Sequence, residues 1–95
     1  MSGMRRLTVL GAGYLGITHA ACMASLGFEV LGVDTDQGRV DQLNAGHLPI
    51  YEPGLEELLR AGLSSGRVRF TTSYREAAAF GDVHFICTEI GRAHV

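Results

Sequence analysis

Tryptophan is absent from this 95-residue sequence, and proline and cysteine occur only twice each. Cys22 and Cys87 lie in separate apolar stretches, with no Cys-x-x-Cys pair and no histidine at zinc-ligand spacing from either. A disulfide-stapled scaffold and a structural zinc site are thereby excluded, and both thiols are expected to pack in a core in a reducing compartment. A dominant charge is missing too. Eight basic against ten acidic side chains leave a formal charge of −2, and no Lys/Arg block exists to follow a polyanion, so nucleic acid is not expected as a partner. Every apolar stretch is broken by Gly, Glu or His well short of the ~18 residues a membrane span requires. Met1 to Arg6 run straight into a strand-like segment, not into the apolar region of a signal peptide. The expectation is a cytoplasmic protein with no membrane partner.

What is present is globular: 46% apolar and 19% charged residues with 13 glycines, a balance that rules out a disordered, collagenous or coiled-coil chain. Ninety-five residues hold one core and leave no room for a separate substrate domain.

Arg5 to Leu10 is a short β-branched and aliphatic run ending at Gly11, as a strand buried on both faces would. Tyr14 to Leu26 follows as a helix, whose Leu15, Ile17, Ala20, Ala21, Met23, Ala24 and Leu26 suit close packing on a sheet, with Gly27 as its stop. Phe28 to Val33 reads as a second strand, and the Asp34-Thr35-Asp36 run offers caps for a helix to about Ala45, closed by Gly46. Two prolines keep His47 to Pro53 extended or turning before a short helix opens at Gly54. Val68 to Thr71 is a third strand, Ser73 to Phe80 a helix capped by Ser73, and Val83 to Cys87 a fourth strand. Strands alternating with helices at this spacing predict an α/β fold, a Rossmann-like doubly wound parallel sheet of βαβα(α)βαβ order and strand sequence 3-2-1-4. That is a little over half of a complete dinucleotide-binding domain, so a truncated domain is expected over residues 1–88.

Gly11-Ala12-Gly13-Tyr14-Leu15-Gly16 matches G-x-G-x-x-G between the first strand and the first helix. Gly11 would permit the tight turn, Gly13 would leave room for a pyrophosphate, and Gly16 would let helix and strand approach closely. The free N–H groups near Tyr14 and Leu15 would face that phosphate from the positive end of the helix dipole. Asp34 stands at the end of the second strand, 23 residues after Gly11, where a carboxylate can accept hydrogen bonds from both ribose hydroxyls of an adenosine. It would repel a 2′-phosphate, and no arginine follows it immediately, which favours NAD over NADP. Arg39, five residues on, reads equally well as a cofactor contact or as a solvated surface charge. His19 is expected to be a satisfied packing residue, and His47 and His84 have no metal-ligand partner at useful spacing. No catalytic residue and no metal site is predicted within the chain.

The sequence at this point resembles the UDP-glucose/GDP-mannose dehydrogenase family, most closely its UDP-glucose branch. Three stretches carry the likeness: GAGYLG at Gly11 to Gly16, GVDTDQGRVDQLNAG at Gly32 to Gly46, and LPIYEPGLEELL at Leu48 to Leu59. The third is the most specific, since generic dinucleotide-binding proteins lack it. The resemblance runs from about Arg5 to Cys87. It implies an NAD-dependent enzyme that oxidises the C6 hydroxyl of a nucleotide sugar to a carboxylate in two steps, releasing two NADH. It places the pyrophosphate loop on Gly11 to Gly16, the ribose-binding acid on Asp34 and a cofactor-contacting base on Arg39. The family's catalytic cysteine, with its lysine and asparagine helpers, belongs to a later part of such proteins, and neither Cys22 nor Cys87 matches it. The chain alone is therefore expected to be inactive, and the whole protein to be a homo-oligomer acting on a nucleotide sugar. A GDP-mannose or other nucleotide-sugar dehydrogenase, or a non-catalytic nucleotide-binding module, is the alternative.

After the fourth strand the family continues with a V-G-T-P-like turn, whereas this chain reads Thr88-Glu89-Ile90-Gly91-Arg92-Ala93-His94-Val95. Ile-Gly-Arg-Ala-His-Val is what a common short-read sequencing adapter encodes in one frame. Residues from about Glu89 onward are expected to be foreign to the gene.

Overall fold

The computed structural model of the chain describes residues 5–49 and 52–87. In order, its elements are β1 (Arg6–Leu10), α1 (Tyr14–Ser25), β2 (Glu29–Val33), α2 (Gln37–Asn44), α3 (Leu55–Ser64), β3 (Val68–Thr71), α4 (Tyr74–Phe80) and β4 (Val83–Ile86). Each strand predicted from composition forms within a residue of its expected ends. The helix opening near Gly54 is longer than expected and runs ten residues. The tail expected to be foreign, 89–95, and Ile50 and Tyr51 of the PIYEPGL segment lie outside the described residues.

All pairings are parallel and the sheet order is β3-β2-β1-β4. Leu7 lies opposite both Val30 and Val83, and Val30 opposite Val68. A parallel sheet is normally covered on both faces; two apolar clusters cover β1 to β3 on both sides, while Ile86 of β4 is left 68% exposed. One joins Leu7, Val9, Val30, Val68 and Phe70 to Ile17, Ala20, Ala21 and Ala24 of α1 and to Val40, Leu43, Leu55 and Leu59 of the helices that follow. The other joins Leu31 and Val33 to Ala77 of α4, with Leu10 and Phe80 packed against it. Each fully buried Ile17, Leu31, Leu43 or Leu59 contributes about 1.5–3 kcal/mol through removal from water.

Two of the helix residues expected in the core lie elsewhere. Leu15 is 64% and Leu26 71% exposed, because α1 turns only its alanine-rich stripe toward the sheet. Cys22 is exposed and Cys87 is half-buried, so the expectation that both thiols pack in the core fails for Cys22. Its side chain projects from the outer face of α1, away from Ala20, Ala21 and Ala24.

Close approach of the layers depends on missing side chains. A Cβ on Gly32 would stand 2.5 Å from the Phe70 ring, and one on Gly62 would stand 2.7 Å from Val68 Cγ1. At the outer edge of β3, Asn44 replaces a strand partner: its Nδ2 donates to Phe70 O and its Oδ1 accepts from Phe70 N, both at 2.9 Å.

Candidate functional site

The carboxyl ends of β1 and β2 stand side by side, and the chain leaves β1 through the glycine loop. Gly11 adopts a φ of +103°, a region that a residue with a Cβ enters only at a cost. Its N–H donates to Val33 O at 2.8 Å, which ties the loop to the end of β2. A Cβ on Gly16 would run into the Gly11 carbonyl oxygen. The first turn of α1 thus rests directly on the loop, as the glycine spacing predicts.

Gly13 caps α1 with an ordinary extended backbone, φ −79° and ψ −169°, and no side chain caps the helix. The other helices differ. Asp36 accepts from Arg39 N at 3.2 Å at the start of α2, and Ser73 from Glu76 N at 3.0 Å at the start of α4. α3 lacks a side-chain cap but carries Glu56 and Glu57 in its first turn, whereas α1 has no acidic residue there. The partial positive charge at the start of α1 is therefore left without an anion of the chain's own. Tyr14 and Leu15, the first two helical residues, are 48% and 64% exposed around it.

Asp34 follows β2 with its side chain 18% exposed. Its Oδ2 accepts from Ala12 N at 3.1 Å and its Oδ1 from Asp36 N at 3.0 Å. Arg39, in the first turn of α2, is not the solvated surface charge that the sequence left open. Its Nη1 donates to Ala12 O at 3.3 Å and lies 3.9 Å from Asp34 Oδ2. Both peptide groups of Ala12 are thus held, the N–H by the acid and the carbonyl by the base. Sequence reasoning missed Ala12, a residue separated from these partners by 22 and 27 positions and carrying no polar side chain to signal it.

Elsewhere the arrangement is chemically quiet. Cys87 donates its N–H to Leu10 O at 2.8 Å, and burial pushes its thiol pKa upward, away from a reactive thiolate. The centre of the His19 ring lies 4.3 Å from that of Phe85, the two rings tilted by 59°. Its Nε2 is buried without a hydrogen-bond partner among the described residues, so the expectation of a satisfied packing histidine is corrected: the ring sits beside an aromatic side chain, which offers no acceptor. No group of three His, Cys, Asp or Glu side chains among the described residues is placed to hold a metal ion. No helix of the described residues is long and apolar enough to cross a membrane. Beside Tyr14 and Thr18 of α1, an open groove of about 310 Å³ is bounded by Glu52, Pro53, Leu55 and Leu58. The described end of the PIYEPGL segment therefore borders the helix that rises from the glycine loop.

Comparison with known proteins agrees with this fold. The UDP-glucose/GDP-mannose dehydrogenase family, NAD binding domain, matches residues 5–90. The chain is 45% identical over 82 residues to GDP-mannose 6-dehydrogenase of Pseudomonas putida, covering 86% of the chain and 19% of that protein. It is 47% identical over 93 residues to UDP-glucose 6-dehydrogenase of Pseudomonas aeruginosa, covering 93% and 20%. Among solved structures, a UDP-glucose dehydrogenase from Pyrobaculum islandicum superposes with a TM-score of 0.86 at 49% identity over 92% of the chain and 20% of that structure. A ternary complex of the Pseudomonas aeruginosa GDP-mannose dehydrogenase gives 0.85 at 43% identity over 87% and 19%. The chain spans about a fifth of the length of these relatives. With a family match across nearly all of its length, the chain belongs to the UDP-glucose/GDP-mannose dehydrogenase family and carries the NAD-binding domain of that family.

Proposed function

We propose that the loop from Gly11 to Gly16 holds the pyrophosphate of NAD, with Tyr14 and Leu15 donating backbone N–H groups to it. Asp34 accepts from the adenosine ribose hydroxyls, and Arg39 stands beside that ribose. The observation that carries this reading is the start of α1, uncapped by any side chain and without an acid in its first turn, on whose rim the Asp34 carboxylate is fixed by Ala12 N at 3.1 Å. An anion fits the first feature and a diol the second. Bound there, NAD would supply the hydride acceptor. The residues of this chain bind and orient it, and among the described residues none is placed to attack or deprotonate a substrate.

In the whole protein this domain serves the oxidation of a nucleotide sugar at C6 to the carboxylate, with two NAD reduced. UDP-glucose is the sugar favoured and GDP-mannose the alternative, since relatives named for the first are 42% to 49% identical and those named for the second 42% to 45%. The catalytic cysteine and the sugar site lie outside this chain, and the tail from about Glu89, close to where the family match ends at residue 90, is foreign to the domain. A genomic read that continues in frame from residue 88 into a second domain with a cysteine supports this reading. One that matches 89–95 corrects the boundary.

The direct test is calorimetry of the chain with NAD. Asp34→Ala removes a charged acceptor worth ~1.5–3 kcal/mol, so the affinity should fall by one to two decades. An unchanged Kd removes Asp34 from the site. Incubation with NAD and UDP-glucose or GDP-mannose should give no NADH absorbance; sustained turnover would overturn the placement of the chemistry outside the chain.

A further inference from the structure

Discrimination between NAD and NADP usually rests on two features together: an acid that pairs with the 2′-hydroxyl, and the absence of a base that would pair with a 2′-phosphate. In sequence both features hold here, since no arginine follows Asp34 directly. In three dimensions only the first does. Arg39 folds back from α2 to 3.9 Å from Asp34 Oδ2, at the end of β2 where the ribose is proposed to lie.

The carboxylate is not the only group that holds the guanidinium. Nη1 also donates to Ala12 O at 3.3 Å, a carbonyl of the glycine loop whose residue gives its N–H to Asp34. Among the described residues the guanidinium's other N–H groups donate to no protein atom, and the side chain is 38% exposed. A planar, permanently charged fork with free donors is suited to a phosphate monoester. Two other acids stand on the same segment. Asp36 is exposed and turns its Oδ1 to Arg39 N at 3.2 Å, and Asp41 is held by Gln37 on the exposed side of α2. Neither lies within salt-bridge reach of the guanidinium, so Asp34 is the carboxylate that neutralises it.

We infer that Arg39 is a built-in acceptor for a nucleotide 2′-phosphate, and that rejection of NADP rests on the single carboxylate of Asp34 beside it. This deepens the proposal that the loop binds a dinucleotide and rests on it. A 2′-phosphate carries about two negative charges; the Asp34 carboxylate repels them and cancels the attraction of the guanidinium beside it, while the hydrogen bond that a 2′-hydroxyl would give the carboxylate is lost. Neutralising Asp34 reverses the balance with no new base added.

The test titrates the full chain with NAD and NADP by equilibrium dialysis and reads the ratio of the two dissociation constants, which does not depend on how tightly either is held. The unaltered chain should bind NADP about 100-fold more weakly than NAD, as a like-charge contact demands. Asp34→Asn keeps an oxygen for the Ala12 N–H and should bring the ratio to about one or below. Adding Arg39→Gln to that variant should weaken NADP by about tenfold or more while changing NAD far less, and high salt should weaken NADP selectively. An Asp34→Asn chain that still rejects NADP overturns the inference, as does one whose NADP affinity is indifferent to Arg39→Gln. Asp34→Ser is run alongside, and failure of both variants to bind either dinucleotide also overturns it. Failure of the unaltered chain to bind NAD is the separate outcome that sinks the dinucleotide reading itself.

Discussion

Substitution at Gly16 and at Gly13 should separate the two tasks of the glycine loop. A methyl on Gly16 would strike the Gly11 carbonyl oxygen and come within 3.0 Å of the Gly11 carbonyl carbon, with Cys87 Cβ at 3.5 Å behind it. The obstacle is backbone, and it is held on the other side by the Gly11 N–H to Val33 O bond of 2.8 Å. Neither partner can swing away, so α1 must lift from the sheet and loosen Ile17, Ala20 and Ala21 in the core. Overpacking of this kind costs about 1–3 kcal/mol or more. Alanine in a helix recovers at most about 1 kcal/mol over glycine. A net loss of ~2 kcal/mol corresponds to a fall in Tm of roughly 8–16 °C for a domain of this size. Gly13 is the contrast. Its φ of −79° and ψ of −169° are open to any residue, so Gly13→Val should lower Tm far less than Gly16→Ala while abolishing NAD binding, because its side chain would enter the space proposed for the pyrophosphate. Thermal melts and NAD calorimetry on both variants decide the matter. A Gly16→Ala chain as stable as the original, or a Gly13→Val chain that binds NAD normally, would refute the reasoning.

Three further outcomes can be measured on the same chain. Asn44→Ala strands the N–H and carbonyl of Phe70 that its side chain now satisfies; a loss of ~1–3 kcal/mol is expected in urea unfolding, and a midpoint that does not move would show that water replaces the amide. Under native conditions a maleimide should label Cys22 fast and Cys87 slowly, since Cys22 is exposed and burial raises the Cys87 pKa; equal rates would contradict the packing of β4. Glu76 is held below its ordinary pKa of 4.5, first by its hydrogen bond with Arg69 and then by one with Thr71. A depressed folded pKa stabilises above the unfolded value and ceases to do so as pH falls through the folded one. The Tm advantage of the original chain over Glu76→Gln should therefore be present at neutral pH and vanish on acidification below about pH 4.5; an advantage that persists in acid would exclude the carboxylate as its source.

The alternation of apolar runs with helical patterns was enough to determine the element order, the parallel sheet and its 3-2-1-4 arrangement, because crossover handedness and layer covering leave few alternatives. The glycine spacing likewise announced the close approach of helix and strand at Gly16, and the structure adds that the atom it meets is the Gly11 carbonyl oxygen. Solvent exposure was less legible. Leu15, Cys22 and Leu26 have apolar side chains, yet which stripe of α1 meets the sheet depends on how the whole helix is seated by Ala20, Ala21 and Ala24. The histidine at position 19 shows the same limit, since its Nε2, without a hydrogen-bond partner among the described residues, is packed beside Phe85 of a strand 66 positions later. The rim of the glycine loop divides in the same way. Asp34 could be named from its distance to the loop, because the β1-α1-β2 unit has a nearly constant geometry. The placement of Arg39 against Ala12 and Asp34 could not, because it depends on the pitch of α2 and on a carbonyl that carries no side-chain signal. Sequence spacing records which groups are available, and only the tertiary structure decides which of them share a charge.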